Sequence, residues 1–411
     1  MPSVDLRPIP EGERNQSPLD LFLIFAGANI AATTLQVGAT LAPGLPVPRA
    51  LLFIAIGSVA GAALVAALAP LGPRLGAPSV VALRAPLGFR GASFVAALLY
   101  LTNFAWIAVN NVIAASPFAR LAGGPAAEPA WAVAMGVVAT AVVAFGPRAV
   151  RLADRLAVPL LFGLGALLTW ACLRHGGASP AAGPATLPTP LSLDIVIGYQ
   201  VSWILMFADY SRFTRSARRG AASVFLGLAV TSLWFMPLGF LAARAAGSND
   251  PATMLDAVGL GAYGALLLGL AAITTNFVNI YLSALAWKSL FPRTSDRTAV
   301  FSIGLVGAGL SLFSRGWLDR FADLMLLLGG LLVPVGGILL AFFFVLRRPV
   351  DVEDLYRPEG PYRGLSTAGV AAWVAGAAVY YLARPIGGTL PSLLTAVAVY
   401  VALARRRARG G

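Results

Sequence analysis

The feature that most constrains this chain is its series of long apolar runs, each cut off by arginine, proline or a short polar turn. Twelve can be drawn, at about 18–42, 49–70, 91–116, 128–147, 152–173, 191–210, 220–246, 259–290, 298–314, 321–346, 366–383 and 388–404. An α-helix needs roughly 20 mostly apolar residues to cross a bilayer. Charged residues make up only 11% of the 411, and the mean hydropathy is +0.80. A soluble domain carries about 25% charge to keep its surface wetted. The chain therefore reads as an all-α polytopic membrane protein. Its longest polar connections, 174–190 and 347–363, leave no room for a soluble domain. Three regions are expected: a cytoplasmic tail at 1–17, a ten-helix core at 18–346, and two further helices with a basic tail at 347–411.

A net charge of +13 raises the question of nucleic acid, and placement answers it. With a cytoplasmic N-terminus, 23 of the 30 basic residues fall on cytoplasmic ends and loops and 7 outside. Basic cytoplasmic loops orient such proteins during insertion. No aromatic interleaving accompanies the arginines, so the excess encodes topology rather than a nucleic-acid surface. The N-terminus MPSVDLRPIPEGERNQ mixes acids and prolines and does not read as a signal peptide.

Catalysis finds no residues to stand on. Cys172 and His175 are each the single residue of their type, and the 17 acids read as loop or helix-end residues. There is no metal-ligand cluster, no nucleophile paired with a base and no phosphate-cradling loop. Asp209, at the end of span 6, is read as an ion-pair partner of nearby arginines, with a gating role as the alternative. Asp323, near the start of span 10, reads as another end-of-helix pairing.

Spans 1–5 and 6–10 can be taken as two halves. Span 1 carries Gly27-Ala28-Asn29-Ile30 and span 6 carries Gly198-Tyr199-Gln200 at a similar depth. Each puts a glycine beside a side-chain amide inside an apolar helix. Inverted-repeat membrane proteins place broken helices at such corresponding positions, where freed backbone groups line a binding site. Glycines used only for close helix packing give the same pattern.

The informative polar residues lie at mid-depth. Asn103, Trp106 and Asn110 of span 3 follow i, i+3, i+7 and share a face. A Trp between two amides suits a planar, hydrogen-bonding solute, although amide bonding between helices would need the same residues. In span 8, Thr274 and Thr275 interrupt an apolar stretch. Two hydroxyls beside freed carbonyls make an all-oxygen site fit for a hard monovalent cation. Back-bonding to the helix's own carbonyls is the structural alternative.

At these residues the chain resembles the purine–cytosine permease family, the first nucleobase–cation symporter family. AGANIAATTLQVGATLAPGL is similar to its first helix, and RAPLGFRG followed by NFAWIAV to its third. VSWILMFADYSRF is similar to the end of its sixth helix and LGLAAITTNFVNIYLSA to its eighth. The resemblance implies a five-plus-five inverted repeat with broken helices 1 and 6, plus two more helices. It implies a sodium ion held by the carbonyls of Gly27, Ile30 and Ala271 and the hydroxyls of Thr274 and Thr275. The solute would stack on Trp106 and bond Asn103, with Tyr199 or Gln200 supplying a further contact. Three departures bear on the solute. Asn103 stands where many cytosine permeases have Gln, Gln200 aligns where they have an aromatic, and Asn279 takes the place of an Asp found in the hydroxymethylpyrimidine (thiamine-precursor) branch.

The implied function is sodium-coupled import of a planar nucleobase-like compound, such as cytosine or hydroxymethylpyrimidine, by alternating access. The implied setting is the inner (plasma) membrane with both termini cytoplasmic. Proton coupling, or another solute such as a purine, allantoin, a hydantoin or an amino acid, is the alternative on this fold. A transporter-like sensor is a further one.

Overall fold

The computed structural model describes residues 6–42, 44–175 and 188–409. The side chains of His175, Arg148, Arg151, Arg315, Arg407 and Arg409 lie outside the described residues, as do residues 1–5 and most of the 174–190 connection. Within the description all regular structure is helical.

Span 1 forms two helices, α1 (Pro18–Asn29) and α2 (Ala32–Leu41). α1 begins with a capping box: Ser17 Oγ accepts from the Asp20 amide while the Asp20 carboxylate takes the Ser17 amide. Pro18 at the first helical position needs no amide partner. Then follow α3 (Val47–Leu68), the short α4 (Leu71–Leu75) and α5 (Ser79–Ala82), and α6 (Arg84–Leu121). α7 (Glu128–Ala144), α8 (Pro147–His175) and α9 (Thr189–Val201) complete spans 4 to 6. The remaining helices are α10 (Ala217–Ala246), α11 (Pro251–Ala257), α12 (Gly261–Leu290), α13 (Asp296–Leu310), α14 (Ser314–Asp319), α15 (Phe321–Leu340), α16 (Thr367–Leu382) and α17 (Thr389–Arg409). Nine helices among the described residues are long and apolar enough to cross a bilayer, and the bent pair α1–α2 makes ten. α16 is a shorter apolar helix, and α16 and α17 stand where spans 11 and 12 are expected, a count roughly consistent with twelve.

The break in span 1 falls where expected, with a 55° bend at Ile30 and Ala31. Span 6 differs in detail. Gly198 and Gln200 stay α-helical, and the helix changes to 3-10 over Ser202–Met206. Ser202 Oγ donates to the Tyr199 carbonyl at 2.7 Å, competing with the backbone for that acceptor. Gly198 serves close packing instead, since a Cβ there would sit 2.4 Å from the Met325 carbonyl oxygen.

Packing around the first break is as close as backbones allow. A Cβ on Gly38 of α2 would meet the Met236 carbonyl of α10, and one on Gly239 of α10 would meet the Leu35 carbonyl of α2. Both approaches are under 2 Å, so only glycine fits. α6 and α12 pack along each other, and α16 and α17 form a hairpin against α15.

The N-terminal strap shares one end of the bundle with loops expected to be cytoplasmic. Ile9 N bonds the Gly76 carbonyl, Gln16 N the Phe213 carbonyl, and Tyr356 Oη donates to the Leu6 carbonyl. Asp209 lies buried at this end and accepts from the Ser79 amide at 3.3 Å, while the Ala208 amide donates to Ser79 Oγ at 2.9 Å. Asp209 thereby fastens the start of α5 to the end of span 6. Asp323 is exposed in the first turn of α15, where the helix dipole favours an acid.

One acid escaped the sequence reading. Asp194, five residues into α9, is buried and accepts from the Gly388 amide at 2.6 Å and the Thr389 hydroxyl at 2.7 Å. It caps α17 from another span, which nothing in its local sequence signals. We expect Asp194→Asn to lower stability by about 1 kcal/mol, the worth of one charge in a capping bond, and to leave solute binding unchanged. Thermal unfolding of the purified protein with and without solute checks both.

Candidate functional site

The bend in span 1 leaves the last carbonyls of α1 without following amides, and the partial negative charge of a helix C-terminus collects there. α12 faces this end. Thr275 Oγ1 donates to the Ala28 carbonyl at 3.2 Å, across 247 residues of sequence. Ala28 was not among the oxygens singled out from sequence. Its carbonyl accepts from α12 through Thr275. The Gly27 and Ile30 carbonyls belong to the same turn. Thr274 behaves differently, donating to Leu270 O at 2.9 Å and Ala271 O at 3.2 Å in its own helix.

A small cavity adjoins this junction. Asn103, Trp106 and Asn110 all line it, so the i, i+3, i+7 face exists as read. Tyr199, Thr33, Thr275 and Asn279 line it too. Trp106 and Tyr199 meet edge to face, with centroids 5.7 Å apart and planes at 80°. Asn110 Nδ2 is spent on the Trp106 carbonyl at 2.9 Å. Asn103 Nδ2 is buried and has no hydrogen-bond partner among the described residues. An unsatisfied buried donor costs about 1–3 kcal/mol, so one beside a stacking ring marks a place for an acceptor.

Tyr199 links the cavity to the break. Thr34 Oγ1 donates to the Asn29 carbonyl at 2.6 Å, so it accepts from Tyr199 Oη, also at 2.6 Å. The cavity is about 30 Å³, room for one or two waters. A heterocycle enters only if the lining moves apart. A larger hollow of about 300 Å³, between Arg14 of the N-terminal segment and Arg215 and Arg219 at the start of α10, lacks any aromatic lining.

Gln200 is not brought to the cavity. Its Nε2 donates to Ser232 Oγ of α10 at 2.6 Å, and its Cβ packs against Gly61. Tyr199, one position (about 100°) back around the helix, takes the inward face. Asn29 Nδ2 reaches the same Ser232 hydroxyl at 2.8 Å, so the two amides read as marking the breaks meet at one side chain of α10. Asn111 and Asn276, missed from sequence, form a buried amide chain with Asn279, and NN and TTN were the available signals.

Known proteins share this arrangement of helices. Mhp1, a nucleobase-cation-symport-1 family transporter solved in a closed conformation with bromovinylhydantoin bound, superposes with a TM-score of 0.84 at 22% identity, covering 98% of this chain and 95% of that one. A Na+-coupled sialic acid symporter gives 0.63 at 12% identity, over 96% and 91%. The cytosine permease of Escherichia coli (strain K12) is 27% identical over 83% of this chain and 81% of its own length. The hydantoin permease of Microbacterium maritypicum is 24% identical over 96% and 86%. A family profile described as permease for cytosine/purines, uracil, thiamine and allantoin matches residues 8–400. With an all-helical fold, a broken first span and a match over nearly its whole length, this chain is an integral membrane protein of that permease family.

Proposed function

We propose that this protein imports a planar nucleobase-like solute together with sodium by alternating access, in the inner membrane with both termini cytoplasmic. The observation that carries the reading is the shared cavity. The Trp106 ring and the unpaired Asn103 donor lie in the same lining as Thr275, whose hydroxyl reaches the freed end of α1.

The solute stacks on Trp106 and accepts from Asn103, with Tyr199 edging the ring and Asn279 opposite. Sodium takes the hydroxyls of Thr274 and Thr275 and the carbonyls of Gly27, Ile30 and Ala271. All are neutral oxygens, which suits a hard cation of single charge. Thr275 Oγ1 has lone pairs left to ligate a cation while its proton stays on the Ala28 carbonyl, so an ion held there would tie α1 to α12. If both ligands favour the closed state, filling one site raises the affinity of the other by the same factor. An inward sodium gradient and the membrane potential then drive uptake; one charge is worth about 2.3 kcal/mol per 100 mV. The positive-inside distribution of arginines supports the orientation.

Proton coupling is the weaker reading, because none of the residues lining the cavity is Asp, Glu or His. The test is thermal unfolding of purified protein with cytosine, uracil, hydroxymethylpyrimidine, purines, allantoin and hydantoins, in sodium and in sodium-free buffer. Stabilisation by at least one of them, larger in sodium, is expected. Equal stabilisation in both buffers removes the sodium assignment, and none at all removes the transport reading.

A further inference from the structure

Asn279 presents one end of its amide to the cavity, and a buried chain of side chains decides which. The chain starts at a backbone carbonyl. Ser311 Oγ, just past the end of α13, donates to the Gly307 carbonyl at 3.1 Å. Its proton is then spent, and its oxygen accepts from Asn111 Nδ2 at 3.0 Å. Asn111 Oδ1 is left to accept from Asn276 Nδ2 at 2.8 Å, and Asn276 Oδ1 to accept from Asn279 Nδ2 at 3.2 Å. A second carbonyl, that of Ile107, lies 3.5 Å from Asn276 Nδ2 and favours the same sense.

Ser311, Asn111 and Asn276 are fully buried, so no water can repair a reversed link. Turning any one amide over would set donor against donor or oxygen against oxygen, at about 1–3 kcal/mol for each buried group left unmade. A carbonyl can only accept, so the sense set at Gly307 runs through to Asn279. With Nδ2 turned to Asn276 and one of its two hydrogens committed there, Oδ1 is the acceptor of Asn279 left for the cavity. Asn103 offers the complementary donor, its unpartnered Nδ2.

We infer that the Ser311–Asn111–Asn276 chain holds Asn279 as a hydrogen-bond acceptor, so that the cavity selects planar heterocycles with a ring or exocyclic N–H beside an acceptor atom. Ser311 and Asn111 are positioning residues for this selectivity and touch no solute. The inference rests on the function proposed above and adds the hydrogen-bonding pattern of the solute.

The experiment measures dissociation constants by ligand-dependent thermal unfolding for cytosine, uracil and hydantoin, each beside its N-methyl derivatives. In the wild type at least one parent binds more tightly than its methyl derivatives. In Ser311→Ala the chain loses its fixed sense, Asn279 can turn, and that ratio falls about tenfold, the size of one hydrogen bond of about 1.4 kcal/mol. The methyl group has the same bulk in both proteins, so the change in ratio reads the hydrogen bond. Ser311→Thr keeps the hydroxyl and restores the ratio. If Ser311→Ala is not recovered folded, Asn111→Leu cuts the same chain and carries the same expectation. A variant that binds the parent and keeps the wild-type ratio overturns the inference while the transport reading stands. A wild type stabilised by none of the three compounds overturns both.

Discussion

Replacing Trp106 with alanine is expected to weaken solute binding about 30-fold, enough to abolish ligand-induced thermal stabilisation at moderate concentrations. The estimate is the middle of the roughly 1–3 kcal/mol that base–aromatic stacking is worth by alanine substitution. It applies because Trp106 is buried, lines the cavity and meets Tyr199 at 80° rather than in a parallel stack. Trp106→Phe keeps a smaller face and should lose only part of the affinity. Stabilisation by sodium alone should survive in both variants, because no proposed cation ligand comes from α6. That survival separates a lost contact from a damaged fold. Unchanged solute binding in Trp106→Ala would remove stacking from the reading.

The second large effect is expected at Thr275. Thr275→Ala removes one proposed cation ligand and should raise the sodium concentration for half-maximal uptake by 10- to 100-fold. The range takes a polar contact to a charged group as roughly 1.5–3 kcal/mol. Folded yield should change little, since the one bond lost is a 3.2 Å contact to Ala28. Thr275→Ser should restore coupling. Linkage adds a sharper condition: sodium's effect on solute affinity and the solute's effect on sodium affinity must fall by the same factor. Sodium titrations at several solute concentrations measure both. Normal sodium stimulation of uptake in Thr275→Ala would place the cation elsewhere.

The two expectations are joined by Tyr199. Its ring edges onto Trp106, and its hydroxyl reaches Thr34, which holds the Asn29 carbonyl at the end of α1. A solute that shifts Tyr199 therefore acts on the turn where the proposed cation oxygens lie.

Much of this was legible in the sequence. Twelve apolar runs with basic residues weighted to one side dictated a polytopic helical bundle, because hydrocarbon tolerates no unpaired backbone. The face bearing Asn103, Trp106 and Asn110 could be read from spacing alone, since helical periodicity is a local property. The threonine pair and the break near Gly27 were visible for the same reason.

What only the tertiary structure decided is which face meets which neighbour. Gly198 looked like a break and proved to be a contact with Met325, because glycine suits both an interrupted helix and a close approach. Gln200 faced Ser232 rather than the cavity, while the adjacent Tyr199 turned inward. Thr275 found Ala28 on a helix 247 residues away, Asp194 capped α17, and Asn279 joined a chain of buried amides that ends at Ser311, just past α13. Side-chain identity states what a residue can bond. The partner is chosen by how the helices cross, and that depends on the packing of the whole bundle.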